Sequence, residues 1–554
     1  MTQLTYALTG PQPGEEDRFF VEALDAQRWR QTQGDDWDSL WCVGMPPAAV
    51  FRRVTGERRI NHIPGNGCLT VKSALWRTLG ELQARLAAAH GPDSPLVQRC
   101  RFLPRTYIMP EARAELLAAA AAEPERLWLQ KPENSSRGRG IRLLGRVDEA
   151  PAEPGWIIQE YLADPDLIEG RKYVLRLYVL IRSVEPLRVY LYREGFAKLA
   201  SRPYTLADRT DPFVHQTNPD INATNATAAD PVVFIDLARY RAHLAASGRD
   251  PAPLFARLRD LVTITTLAGR ETMRAETLSR GADPRGCYEL LGLDCLVDAQ
   301  LRPWLLECNL NPSLGVFAAP ADGGEREAAI KRGIVRDLVG VVGLNAAPWP
   351  AGHGPGSHSG SHPETDPETD PRTDPSDSRE QLPADNAHRL LAEADAELAA
   401  AGDFERLYPR ADAAAYWPFL PYPRRADVRL AQALAQRQAG PGHAPTLPTL
   451  RPWRAREHLD ESGLRLFDTA RGTWRVANAT AALIWLHAGR GLTPPAIAEE
   501  LARLPDATED AASTAPTPAA RYDAIEAAVW ETLADWARDG LLIQNTATPT
   551  ASSR

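Results

Sequence analysis

The spacing of apolar and polar positions changes several times along the chain, and each change marks a different kind of element. From 127 to 200 the apolar residues fall in short dense runs rich in Val, Ile, Leu and Tyr. "LWLQK", "GWIIQEYL", "KYVLRLYVLIR" and "LRVYLYREG" each predict a strand. Across 254 to 280 ("LFARLRDLVTITTLAGRETMRAETLS") the apolar positions recur at helical intervals and predict one amphipathic helix. The segment 288–314, "YELLGLDCLVDAQLRPWLLECNLNPSL", predicts two strands joined by a turn near Asp298–Gln300. Residues 1 to about 110 carry no long periodic run and predict only short helices and loops.

The periodicity fails in two places. Residues 351–384 are rich in Gly, Ser and His and then run through an imperfect ETDP repeat. They hold almost no apolar residues, so they predict a disordered insert. The three His of "HGPGSHSGSHP" are read as part of a solvated linker rather than as metal ligands. A Pro/Gly/Thr-rich stretch at 438–452 predicts a second linker. Between the two, "AHRLLAEADAELAAAG" restores a helical pattern and "DFERLYP" follows it. Beyond the second linker, 453–545 predict a β-hairpin with its turn near Arg471–Gly472, then three helices. The expected organisation is 1–110 and 111–350, the insert, 385–437, the linker and this small C-terminal unit.

Composition narrows the function classes. A chain of 554 residues exceeds what one core usually covers. A net charge of −9 and a pI near 5.8 argue against a dedicated nucleic-acid binder. The six Cys, at 42, 68, 100, 287, 295 and 308, form no CxxC pair and predict reduced thiols in a cytoplasmic protein. "MTQLTYALTGPQPGEED" has neither a basic nor an apolar signal region, and no window approaches 18 consecutive apolar residues. No membrane association is expected.

Candidate chemistry lies on the predicted strands. Glu307 and Asn309 are two apart and share a face of their strand, and Asp294 on the neighbouring strand can face them. Acids among Leu290, Leu291, Leu293 and Leu296 are costly unless something positive pairs with them. Two carboxylates and an amide oxygen suit Mg²⁺; a structural network with Arg is the competing interpretation. Lys131, Lys172, Arg176 and Arg193 supply cations on other predicted strands, and Lys172 and Arg176 are four apart, on one face. Cations opposite metal-suited carboxylates describe a nucleoside-triphosphate site. The loop "KPENSSRGRGI" (131–141) is cationic and glycine-rich but lacks the Walker A spacing.

These segments resemble the tubulin–tyrosine ligase family of the ATP-grasp superfamily. The motifs, in the family's order, are "GNGCLTVKSAL" (65–75), "FLPRTYIMP" (102–110), "KPENSSRGRGI", "IIQEYLADPDLIEGRKYVLRLYVL" (157–180), "PLRVYLYREGFAKLAS" (186–201), "HQTNPDINATN" (215–225), the 287–314 segment and "GDFERLYP" (402–409). They cover roughly residues 35 to 425. The resemblance implies a glycine-rich loop with Lys131, Arg137, Gly138 and Gly140 over the phosphates of ATP. It implies an adenine hinge at Gln159, Glu160, Tyr161 and Leu162, and a phosphate contact at Lys172. Asp294, Glu307 and Asn309 would hold Mg²⁺. Arg176 and Arg193 would stabilise an acyl phosphate or an amino-acid carboxylate. Lys72 matches a basic position of the N-terminal part of the site, and His215 and Asn218 match the family's HLTN element near the acceptor. One departure stands out: the family usually reads KFDLR where this chain has Lys172-Tyr173-Val174-Leu175-Arg176.

The C-terminal segment "RLFDTARGTWRVANATAALIWLHAG" resembles the PqqD-like family, whose modules include peptide-recognition elements of ribosomal peptide modification. That resemblance implies a docking groove between the edge of the 464–476 hairpin and the helix 522–538, with Trp474 and Trp485 in the core. The expected fold is α+β, an ATP-grasp core followed by a small winged-helix-like domain. The expected activity is an ATP- and Mg²⁺-dependent carboxylate–amine ligase that passes through an acyl phosphate. Its partners would be a free amino acid and a peptide or protein substrate, with a leader-bearing precursor peptide as the favoured case. A small-molecule amino-acid ligase and an inactive peptide-binding scaffold are the alternatives.

Overall fold

The computed structural model describes residues 3–10, 17–135, 138–228, 232–317, 323–346, 387–440, 442–460, 463–504 and 517–545. Arg137 and the 351–384 insert lie outside them. The described residues form an α+β fold. A small antiparallel sheet is ordered Thr106–Ile108, Trp156–Glu160, Trp128–Pro132, Arg142–Leu143. A larger antiparallel sheet is ordered Phe234–Asp236, Leu187–Leu199, Arg171–Val184, Glu289–Val297, Pro303–Leu310, and Phe404–Tyr408 adds to Leu187–Leu199. The N-terminal part differs from expectation. Leu4–Thr9, Trp29–Gln31, Ser39–Cys42 and Arg59–Ile60 form a parallel sheet rather than helices and loops alone. Parallel strands of two to six residues are too short for an alternation to be read.

The central strand Arg171–Val184 shows how the large sheet is held and why it carries a site. Its odd-numbered residues Tyr173, Leu175, Leu177, Val179 and Ile181 join the core beneath the long helix Ala252–Ser279. Tyr178 and Leu180, on the other face, join a second core with the helix Gly324–Val342. Lys172, Val174 and Arg176 continue that second face toward the small sheet, beyond the reach of the helix.

At the C-terminus the strands Ala455–Asp460, Gly463–Asp468 and Thr473–Ala477 form an antiparallel meander. The helices Ala479–Gly489, Pro494–Ala502 and Pro518–Arg538 follow, and Leu542–Gln544 returns to pair with Leu450–Pro452, the last part of the 438–452 stretch. Trp485 is buried, but Trp474 is 59% exposed, contrary to its expected place in the core. It lies on the edge strand of the meander, where no fourth strand covers it.

The last long helix docks on the preceding part of the chain through charge. Arg424, 1% exposed, donates to Glu271 (2.6 Å), Glu531 (2.7 Å) and Asp535 (2.9 Å). Arg274 pairs with Glu185 (2.6 Å) and Glu531 (3.1 Å). Arg270 pairs with Glu271 and Asp427 and donates to Val184 O at 3.0 Å. The same cluster therefore grips both the final helix and the turn between the two longest strands of the large sheet.

Candidate active site

Asp294 sits opposite Arg176 on one neighbouring strand and opposite Glu307 on the other. Arg176 donates to both of its oxygens, at 2.8 and 3.0 Å, in a fork-to-carboxylate pair. Lys198 donates to the same two oxygens at 3.0 and 2.9 Å. Burial alone would raise the Asp294 pKa, but Arg176 and Lys198 overcome it and hold the carboxyl well below its usual range. Gly292 makes room for this pair: a Cβ there would lie 3.2 Å from Arg176 Cδ and 2.7 Å from Pro312 Cβ. Asn309 Nδ2 donates to Gly292 O at 3.2 Å and lies 3.4 Å from Asp294 Oδ2.

Lys72 begins the helix Lys72–His90 and spans two elements. Its Nζ lies 3.1 Å from Glu307 Oε2 and donates to Ser135 O at 2.9 Å. The adjacent Ser73 bonds to Glu133. The start of this helix thus clips the glycine-rich loop to the carboxylate strand. Within that loop, Gly138 and Gly140 adopt φ +70° and +76°. A Cβ on Gly138 would meet Ile221 and lie 2.7 Å from Gln216 Oε1; one on Gly140 would lie 2.7 Å from Pro132 Cγ.

Two buried lysines face this group. Lys131, on the small sheet, donates to Gln159 Oε1 at 2.6 Å. Lys172 donates to Tyr161 Oη at 3.2 Å and lies 4.3 Å from the centre of its ring. Among the described residues both bond only to uncharged partners. Burial pushes the Lys131 pKa down to about 8, although Glu307 and Asp294 act to raise it. Burial and then the charge of Lys131 push Lys172 down to about 7. Buried cations with no anion to pair with them form a ready anion pocket.

The hinge residues divide by role. Gln159 is buried between Lys131 and Thr106. Glu160 pairs with Arg105 and Arg126. The Glu160 and Tyr161 N–H groups are taken by Arg105 O and Leu127 O, each at 2.8 Å. Leu162 N–H has no partner among the described residues.

Three expected residues lie elsewhere. Arg193 is 68% exposed and reaches Asp403 at 3.9 Å, away from Asp294. The ladder between the two long strands slips from Leu177↔Gly195 to Val179↔Leu191, and this turns Arg193 outward. Lys198, directly opposite Val174, takes the place expected for Arg193. Its position, two residues from Phe196 opposite Arg176, is the signal that strand register offered. His215 is buried behind Tyr161 rather than open to an acceptor: its Nδ1 lies 2.8 Å from Tyr161 Oη and its Nε2 lies 2.8 Å from Asp208 O. Asn218 caps the short helix Pro219–Asn222 by accepting from Asp220 N at 2.9 Å.

Comparison with known proteins agrees with this geometry. The model of the tubulin-tyrosine ligase family matches residues 53–344. Similar proteins include tubulin monoglutamylase TTLL4 of Homo sapiens, 29% identical over 321 residues, which are 56% of this chain and 25% of that protein. Tubulin polyglutamylase TTLL5 of Homo sapiens is 30% identical over 319 residues, 56% of this chain and 24% of that protein. Probable tubulin polyglutamylase TTLL2 of Mus musculus is 28% identical over 323 residues, 56% of each chain. The chain thus spans from about a quarter to about half the length of these relatives, and its C-terminal unit lies beyond the family match. Since that match takes in more than half of the chain and includes every residue of the cluster around Asp294, the chain belongs to the tubulin-tyrosine ligase family.

Proposed function

We propose that this protein is an ATP-dependent carboxylate–amine ligase that forms an amide on a peptide or protein carboxylate. The observation that carries this is the pair of buried lysines, Lys131 and Lys172, which bond only to uncharged partners among the described residues, with Lys131 near Glu307 and Asp294 and Lys172 near Lys131. Lys131 and Lys172 hold the ATP phosphates, and Leu162 N–H meets the adenine. A substrate carboxylate oxygen attacks the γ-phosphorus, the bond to the bridging oxygen breaks, and ADP leaves. An amine then attacks the acyl carbon, phosphate departs, and the amine gives up a proton. Arg176 and Lys198 stabilise the charge on the acyl phosphate. Asp294, Glu307 and Asn309 are the donor set for Mg²⁺. Glu307, which commits one oxygen to Lys72, and Asn309, whose Oδ1 accepts from no described residue, fit that role, whereas both Asp294 oxygens already bond to Arg176 and Lys198 and would be shared with the ion. When bound, Mg²⁺ would neutralise charge on the transferring phosphoryl group. Arg137 would add a cation for the phosphates, and Asn218 shapes the segment beside the acceptor.

The relatives named as glutamylases support glutamate as the donated amino acid. The acceptor reaches the site through the C-terminal unit. A groove of about 350 Å³ runs between the edge strand Thr473–Ala477 and the helix Pro518–Arg538, lined by Arg475, Val476, Asp535 and Trp536. An extended peptide adds to that edge, with a leader-bearing precursor as the favoured occupant. The reaction runs in the cytoplasm, in keeping with six unpaired cysteines. No helix among the described residues is long and apolar enough to cross a membrane.

The test is an intact mass. The protein is incubated with ATP, Mg²⁺, glutamate and short peptides encoded beside its gene. A gain of one or more glutamyl residues, lost in Glu307→Ala, is the expected result. Loss of one water would identify an intramolecular amide instead. ATP turnover with free amino acids and no peptide product would identify a small-molecule ligase, and no turnover at all a scaffold. Gly138→Ala supplies a second check. Forcing a Cβ into φ +70° costs about 1–3 kcal/mol. It is expected to raise the KM for ATP by about tenfold or more in steady-state kinetics, with a smaller effect on kcat.

A further inference from the structure

Behind the proposed phosphate lysine lies a hydrogen-bond chain with only one consistent direction. Asp208 O is a carbonyl and can only accept, so His215 Nε2, 2.8 Å away, carries the proton. In a neutral imidazole Nδ1 is then an acceptor, and it takes the Tyr161 hydroxyl proton at 2.8 Å. The Tyr161 oxygen therefore presents its lone pairs to Lys172 Nζ, 3.2 Å away. The His215 ring is fixed edge-on by two aromatics, Tyr161 at 5.6 Å and Tyr204 at 6.0 Å. Tyr204 is itself tied to Ala163 O at 2.8 Å. The groups that face Lys172 are Tyr161 from the hinge, Lys131 from the small sheet and His215 from the 212–215 turn.

From this geometry we infer that Tyr161 and His215 are positioning residues that hold Lys172 in its charged form and aimed at the nucleotide phosphates. Burial and the like charge of Lys131 both act against its ammonium, and they bring its pKa to about 7. Burial also keeps His215 neutral by lowering its pKa, and the Lys172 charge acts in the same direction. Among the described residues the Tyr161 side chain is what favours the charge, through its oxygen lone pairs and through its ring face 4.3 Å away. His215 is thus assigned to the nucleotide side of the cleft rather than to the acceptor. The inference rests on the proposed ATP site, because only an anion makes a charged Lys172 useful.

The test is ATP affinity as a function of pH, measured by calorimetry on the full-length protein without Mg²⁺. Wild type is expected to bind more weakly as pH rises through about 7 to 8, by up to tenfold per pH unit, with proton uptake on binding. Tyr161→Phe removes the acceptor for Lys172. It is expected to move the midpoint about one pH unit lower while the affinity at low pH stays within about threefold. His215→Leu should do the same, whereas His215→Asn, which keeps an acceptor near the Nδ1 position, should restore the wild-type midpoint. A uniform loss of affinity at every pH, or an unmoved midpoint in both Tyr161→Phe and His215→Leu, would overturn the inference and leave the ATP site standing. Failure of wild type to bind ATP at any pH would overturn the ATP site and the inference with it.

Discussion

Asp294→Ala is expected to abolish turnover and to destabilise the fold at the same time. The wild-type carboxylate is buried and takes four hydrogen bonds from Arg176 and Lys198. Its removal leaves two buried cations unpaired, a change that costs about 3–5 kcal/mol. Arg176 also loses the fork that aims it, and loss of a preorganised charge contact costs about 10²–10³ in rate. Glu307→Ala should separate the two effects. Its side chain is 28% exposed, and its partner Lys72 keeps the Ser135 carbonyl. Activity should therefore fall with at most about 1 kcal/mol of stability lost. Denaturant unfolding beside single-turnover kinetics checks both variants. Equal stability of Asp294→Ala and wild type would overturn the buried-pair account. The sign with pH follows from the depressed Asp294 pKa. The stability this group supplies is full above the ordinary carboxylate range and is lost as pH falls toward its folded value.

Arg424→Ala should cost about as much, near the turn between the strands Arg171–Val184 and Leu187–Leu199. This side chain is almost fully buried and pairs with Glu271, Glu531 and Asp535. Burial acts to raise the Glu271 pKa, yet Arg270 and Arg424 hold it down to about 2. Without Arg424, the acids lose their shared partner, and about 3–5 kcal/mol is expected to go with it. Glu531 and Asp535 belong to the final helix, so the loss falls on the docking of the C-terminal unit. Limited proteolysis should then release a fragment beginning near 440, well before the ligase body unfolds. Arg425→Ala is the milder comparison. Its partners Asp523 and Glu526 are both also reached by Arg429, which keeps them paired, so about 1 kcal/mol is expected. Release of the fragment by Arg425→Ala and not by Arg424→Ala would overturn the account.

The clearest elements in the sequence were those with a strong local period. The runs at 171–184 and 187–199 and the helix 252–279 lie where their apolar spacing placed them. The same holds for the pairing of Asp294 with Glu307, because each sits in an otherwise apolar strand and the two strands are joined by a short turn. The parallel N-terminal sheet was not legible, since its strands are only two to six residues long.

Arg193 and Lys198 mark the boundary between the two kinds of information. Both are basic and both lie in the motif "PLRVYLYREGFAKLAS" (186–201), so their order along the chain cannot say which one faces Asp294. The slip between Leu177↔Gly195 and Val179↔Leu191 decides it, and such a slip depends on the neighbouring strands rather than on the residues that undergo it. His215 is a similar case. Its motif marked it as a site residue, but only packing against Tyr161 and Tyr204 turned it toward Lys172. The C-terminal unit shows the same division on a larger scale. Its hairpin and helices follow from local pattern, whereas the grip of Arg424 and Arg274 on its last helix joins residues more than 100 positions apart. Local periodicity is set by which face of an element meets water, and the sequence alone determines it. The pairing of charges across strands and helices depends on register and burial, and only the tertiary structure decided those.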